Sequence, residues 1–418
     1  MKFFSRTLLL FSCVLAAGLA RGELLDRPGG IRIGERMTLR PYVGITLTYD
    51  SNCGSGGGES GSDQGDFMWS ISPNLGLAYN AETWSLLLNG HYNYHHYMKS
   101  ENNKYSRHHF GEDLRWNWAN SLGCEKGWSL IIGQAYQRIT MGDDITYDNG
   151  QSYGSDASQF QFMGALQRRF NEHWHGDVNA SYYWLDYDSN GQNAYSFYGW
   201  QRWRAGLEGG FAPSRWSDIL VSGAYQGYSQ DNTQSTGLGS NSSGYTLQAG
   251  IGSYMTERIS YRLLGGWSRF EYADGASSAD GFVYSLSANW KIGETWNTML
   301  LASSYYQPSE RQLASQSRVD AIGWGVAKQL VNGKLRATFD VRYRRETQDY
   351  AGDTYGANYD YVLDIVTGRI GLNYSINRFL GVYANAEYQR SLNSEASARN
   401  NAYDYDRWRV SLGVSLSY

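Results

Sequence analysis

Five of the seven histidines, His91, His95, His96, His108 and His109, crowd into one short stretch, with Asp113 just beyond. Imidazole and carboxylate are the donor types that hold zinc or copper. If the chain doubles back so that Tyr97 pairs with Arg107, His95 faces His109 and His91 faces Asp113. These four then share the parity of Asn89 and Arg115, opposite to Leu86, Leu88, Leu114 and Trp116. The set reads either as a metal site or as a polar ladder that titrates near neutral pH. A slip of one residue in register would scatter it across two faces.

A second constellation is spread along the chain: Arg202, Arg204, Glu208, Arg336, Asp340, Arg342, Glu387, Arg407 and Arg409. Each alternates with apolar neighbours. Arg407, Arg409, Ser411, Gly413, Ser415 and Ser417 point one way, and Trp408, Val410, Leu412, Val414, Leu416 and Tyr418 the other. Period-two alternation means a strand with one polar and one apolar face. Charges lining a water-filled lumen would set selectivity through a transverse field, or else only brace the wall.

The elements that must carry these residues recur from about 39–50 to 406–418. Alternating segments are joined by tight turns such as Ala81-Glu82, Gly293-Glu294, Val331-Asn332 and Asn377-Arg378. In between come longer polar connections, including 51–66, 141–157, 230–242 and 392–405. Sorting of connections by parity is the mark of an outer-membrane barrel. The expected fold is all-β: a transmembrane antiparallel up-and-down β-barrel of about eighteen strands, with sixteen the alternative. Pro73 should bulge or kink the second segment, and 295–307 has no clean alternation.

Composition agrees. The chain holds 35 Tyr, 15 Trp and 49 Gly but 5 Pro, which suits long hydrogen-bonded ladders and membrane interfaces. Met1 to Arg6 is cationic, Thr7 to Leu19 apolar, and small residues follow, so residues 1–22 read as a signal peptide. Residues 23–38 read as a short periplasmic lead and 39–418 as the barrel. Cys13 lies inside the apolar run, and Cys53 and Cys124 fall at opposite ends of the expected barrel. A net charge of −4 without a basic patch argues against nucleic acid.

The ending Trp408-x-Val410-x-Leu412-x-Val414-x-Leu416-x-Tyr418 resembles the C-terminal signal of outer-membrane barrels. That resemblance implies recognition by the barrel assembly machinery. The opening Arg40-Pro41-Tyr42-Val43-Gly44-Ile45-Thr46-Leu47-Thr48-Tyr49-Asp50-Ser51-Asn52 is similar to the first strand of the outer-membrane β-barrel porin family, some members of which accompany exopolysaccharide systems. It implies a channel and names no solute.

Acidic connections such as Asp63-x-x-Asp66, Asp143-Asp144, Asp148 and Asp156 read as calcium sites or as solvated loops. Trp84, Trp118, Trp128, Trp174, Trp216 and Trp296 should form interfacial girdles, while inward Tyr183 and Tyr383 could stack on sugars. No nucleophile elbow or metalloprotease motif is present, so no enzyme and no cofactor are expected. The expected function is passive diffusion of small hydrophilic solutes. The alternatives are exopolysaccharide export or uptake, or a plugged structural or adhesive barrel. Expected partners are outer-membrane lipid, the solutes or saccharides themselves and further copies of the chain.

Overall fold

The computed structural model describes residues 30–51, 65–99, 107–119, 127–141, 155–187, 200–214, 216–230, 241–253, 258–272, 278–308, 314–350, 361–393 and 405–418. Among them every regular element is a strand. Eighteen long strands, from β2 (Met37–Asp50) to β19 (Tyr405–Ser417), pair antiparallel in sequence order. β19 then pairs back on β2, from Ser417↔Tyr42 to Arg409↔Asp50, and closes the ring. Closure leaves no sheet edge, which a lipid environment requires. The lead contributes a short β1 (Ile31–Ile33) that folds back on the foot of β2.

The alternation seen in sequence becomes an inverted solvent plan. Ile45, Leu47, Leu207, Val221, Leu247, Ile251, Leu412 and Val414 project outward and are exposed. The exterior aromatics flank this aliphatic belt at both ends. Trp128, Trp174, Trp216 and Trp296 lie at the short-turn end, and Tyr49, Phe67, Trp69 and Trp408 toward the long connections. Trp84 stacks on Tyr79 in the lower girdle. An apolar band between two aromatic girdles is the exterior plan of a membrane barrel, whose aromatics sit at the two lipid–water interfaces.

Pro73 in β3 (Asp66–Asn80) does not bulge the strand. Pairing with β4 (Trp84–Tyr97) omits Ser72 and Pro73, yet one register holds on both sides, from Met68↔Tyr97 to Asn80↔Ser85. Proline lacks an amide hydrogen, so the ladder loses rungs there without gaining a residue.

Two glycines are compelled by close approach. A Cβ on Gly250 of β11 (Asn241–Gly252) would overlap the Leu263 carbonyl of β12 (Ile259–Tyr272). A Cβ on Gly266 would overlap the Leu247 carbonyl in return. The tight turn at 331–334 is less accommodating, because it holds Val331 at φ 52 and Asn332 at φ 52 ahead of Gly333.

Water does not reach the inner wall evenly. The largest side chains without solvent contact include Tyr97, Phe270, Leu363, Val319 and Asp50. All five are inward and stand near the end from which the long connections leave. Lys291 and Arg336, inward at the short-turn end, are exposed. At that same short-turn end the inward Asp218 and Ser415 are buried, so exposure of the inner wall varies around the ring as well as along it.

Candidate functional site

The charged residues singled out in sequence all lie on inward positions, because their outward neighbours are the exposed Trp203, Leu207, Phe339, Val341, Trp408 and Val410. Register then gathers part of the set into one row. Asp340 of β16 (Leu335–Tyr350) pairs with Arg369 of β17 (Tyr361–Ser375). Arg369 pairs with Glu387 of β18 (Leu380–Asn393), Glu387 with Arg409 of β19, and Arg409 with Asp50 of β2. Five consecutive strands thus present acid, base, acid, base, acid in direct register.

Strands tilt by about 35–45° in such barrels, so a directly paired row climbs the wall. Asp340 sits low on β16, whereas Asp50 is the last residue of β2 at the long-connection end. The row is an inclined stripe rather than a level ring. Neighbouring strands are about 4.8 Å apart, so like charges recur at roughly 10 Å, beyond a Debye length of about 8 Å in physiological salt. A small ion near the wall therefore responds to individual charges.

The side chains couple along the stripe. Arg342 Nε lies 3.0 Å from Asp340, and Arg369 Nε lies 2.6 Å from Glu387. At its upper end Asp50 is 0% exposed and receives two arginines. Arg407 Nε donates to Oδ1 at 2.9 Å while its Nη2 bonds Oδ2, and Arg409 Nε donates to Oδ2 at 3.1 Å. Fully desolvated, that carboxylate needs charge-assisted donors on both oxygens, and the arrangement supplies them.

The closing seam has two further inward stitches. Thr48 and Ser411 hydroxyls meet at 2.9 Å. Tyr383 crosses its register partner Gly413, where a Cβ would strike the ring, and its hydroxyl bonds Thr46 on β2. Tyr183 stacks on Trp200 at 4.7 Å, and Trp200 lies 5.6 Å from Tyr228. Both tyrosines named in sequence are thus inward and half-buried, each engaged by a neighbour in the wall.

On another part of the wall Glu208 of β9 (Trp200–Ser214) reaches Arg262 of β12, forming an ion pair across two intervening strands. His175 of β8 (Trp174–Tyr187) bonds Asp218 of β10 (Ser217–Gln230) through Nε2 at 2.9 Å, passing over Gly210. Arg202 and Arg204 are inward on β9, a strand apart from the stripe, with Tyr228 and Gln226 of β10 as their register partners. Arg369, Arg262, His175 and Asp218 were not picked out by sequence reading, and Asp50 entered it only as part of the Arg40 to Asn52 stretch, not as a lumen charge. Arg369 carried a signal there, lying between the apolar Val366 and Ile370 at the parity of an inward residue.

The histidine hairpin corrects the expected pairing. His95, not Tyr97, faces Arg107 of β5 (Arg107–Ala119), so the register is offset by two. His91 faces Gly111 and Asn93 faces His109, while Asp113 faces Asn89, whose amide lies 3.5 Å from its carboxylate. Parity survives a two-residue offset, so His91, His95, His109 and Asp113 share the inward face, but none directly opposes another. Among the described residues no group of three or more histidines, cysteines or acids is close enough to hold a metal, and the side chain of His109 is outside them. His96 and His108 face outward: Tyr92 shares a hydrogen bond with His108 Nδ1 at 2.5 Å, and Tyr94 lies against both imidazoles.

Of the acidic connections, Asp66 proves to be a strand residue. It is buried and inward, accepting from the amides of Phe67 and Lys99. Asp63, Asp143, Asp144 and Asp148, the cysteines and the first 29 residues lie outside the described residues, as does the side chain of Asp156.

No family model matches the chain, and no curated protein matches it. Solved structures with a similar barrel include the FrpB iron transporter of Neisseria meningitidis (F5-1 variant), at 10% identity and a TM-score of 0.45, over 95% of this chain and 84% of that one. The ferric-catecholate import receptor Fiu of E. coli K12 gives 10% and 0.41, over 92% and 82%. The siderophore receptor PirA of Pseudomonas aeruginosa gives 9% and 0.41, over 93% and 81%. At these values the likeness brings no ligand or activity to this chain.

Proposed function

We propose that the chain is a channel of the bacterial outer membrane, through which small hydrophilic solutes diffuse past a charged inner wall. The observation that carries this reading is the inversion of the solvent plan: a closed ring with aliphatic side chains outside and an arginine–carboxylate stripe inside. No chemical step is needed. The wall holds its charges at fixed positions, and a solute passes along a field set by them. An eighteen-stranded ring is wide enough for an aqueous path unless its interior is filled. By the resemblance of its final strand, the chain enters the membrane through the barrel assembly machinery.

Conductance of purified protein in planar bilayers tests the reading. Stepwise currents in simple salts are expected. A silent bilayer, with folded protein verified by heat-modifiable migration, would make it a structural or adhesive barrel with a filled lumen. Oligosaccharide-dependent block of the current would move the solute class to saccharides.

A further inference from the structure

The barrel wall is not zipped evenly. β13 (Ala279–Ile292) and β14 (Trp296–Pro308) leave their short turn paired, but their ladder ends at Tyr284↔Ser304. Above that rung, residues 279–283 stay paired to β12, as far as Phe270↔Ala279. β14 meanwhile stays paired to β15 (Ala314–Leu330) as far as Pro308↔Gln316. Both strands therefore continue, yet they part from one another toward the long-connection end. The nearest counterpart is shorter: β5 and β6 (Gly127–Met141) part after Phe110↔Arg138.

A wedge in a membrane barrel exposes backbone that lipid cannot satisfy. The Tyr306 side chain reaches across it. The Tyr306 hydroxyl donates to the carbonyl of Asp280 at 3.3 Å, and its ring packs on the buried pair Phe270 and Ala279. The space a Cβ on Gly281 would need is occupied by that same hydroxyl. Arg318, the register partner of Tyr306, lies over the ring at 5.9 Å.

The inner wall beside the wedge is apolar. Leu264, Phe270, Ala279 and Val283 are inward, buried and uncharged. On the outside, Trp267 and Phe282 stand exposed at the same level, which is where the upper aromatic girdle places the lipid boundary. An apolar patch inside thus lies beside a gap that Tyr306 reaches across, with Trp267 and Phe282 exposed outside at its lower edge and the outward charges Arg269, Asp280 and Arg318 above them, an order that suits a lipid chain below and its polar head above.

We propose that the β13–β14 wedge is a lateral opening latched by Tyr306, through which the apolar chain of an amphiphile passes between lumen and membrane. The aqueous path of the channel does not depend on it, so conductance and lateral entry can fail separately.

The test uses the whole protein refolded in phosphatidylcholine vesicles that contain a phospholipid with a diazirine on its acyl chain. After irradiation, adducts are mapped by peptide mass spectrometry. Adducts are expected on inward Phe270, Ala279 and Val283 but not on inward Ala224 or Thr367, which lie in fully paired wall. Tyr306→Ala should raise the yield at the three wedge residues about fivefold, the shift expected when one hydrogen bond is lost. Tyr306→Phe, which drops only the hydroxyl, serves if the alanine variant does not fold. Adducts confined to outward residues in both wild type and variant overturn the proposal. Equal labelling of Ala224 and Thr367 overturns it as well, because entry would not then be through the wedge.

Discussion

Asp50 and Arg407, at opposite ends of the barrel sequence, form a buried ion pair across the seam where the last strand meets the first. Backbone pairing alone would close the ring at that seam. The ion pair adds a condition that only the correct register satisfies. An Arg407 left without Asp50 would be a desolvated cation, so a mispaired seam is penalised as well as unrewarded.

Asp50→Ala is therefore expected to cost about 3–5 kcal/mol, the usual cost of removing one member of a buried pair. Urea unfolding in vesicles, followed by loss of heat-modifiable migration, measures it. Adding Arg407→Met to that variant should recover part of the loss, because the more buried of the two arginines that Asp50 held is then gone and only the more exposed Arg409 is left. If Asp50→Ala unfolds with wild type, the seam is held by its backbone alone.

The stripe predicts ion selectivity. Charges about 4 Å apart interact through water by about 1 kcal/mol, which is roughly a fivefold change in local ion ratio. Neutralising Arg369 and Arg409 as Arg369→Gln and Arg409→Gln should move the reversal potential in a salt gradient toward cation preference. Glu387→Gln should move it the other way. Unchanged potentials in all three would mean that the stripe braces the wall without facing the permeant ion.

The two faces of β11 can be weighed against each other. Leu247 is 60% exposed on the outside, and Gln248 beside it faces the lumen. Leu247→Arg should destabilise by about 2–4 kcal/mol if it meets the bilayer centre, while Gln248→Arg should cost little. Equal costs would contradict the orientation of the wall.

Close packing of β11 against β12 makes Gly250 and Gly266 intolerant of any side chain. Gly266→Ala should cost about 1–3 kcal/mol, as overpacking does, despite the usual gain of replacing glycine in a strand. At the opposite extreme, Val331→Asn should stabilise the barrel by roughly 1 kcal/mol, because asparagine tolerates the left-handed backbone that a β-branched residue resists. Paired unfolding curves against wild type decide both.

Much of the architecture was legible because a barrel repeats a single local rule. Which residues face lipid follows from parity, and parity is local: Leu412 and Arg409 differ by an odd number of positions and so oppose one another in any strand. Strand number and the sorting of turns came from the same periodicity. It failed at 295–307 for a physical reason, since Met299 and Leu301 make β14 apolar on its inner side as well.

Partners across strands are another matter, because parity is unchanged when a strand slides by two residues. That degeneracy allowed His95 to be set opposite His109, whereas the fold pairs it with Arg107. It also hid the stripe from Asp340 to Asp50, which exists only once four registers are fixed together. The sequence alone determined the side of the wall on which each residue stands. Only the closed tertiary structure decided which charges meet, since closure fixes every register at once and no single strand carries that information.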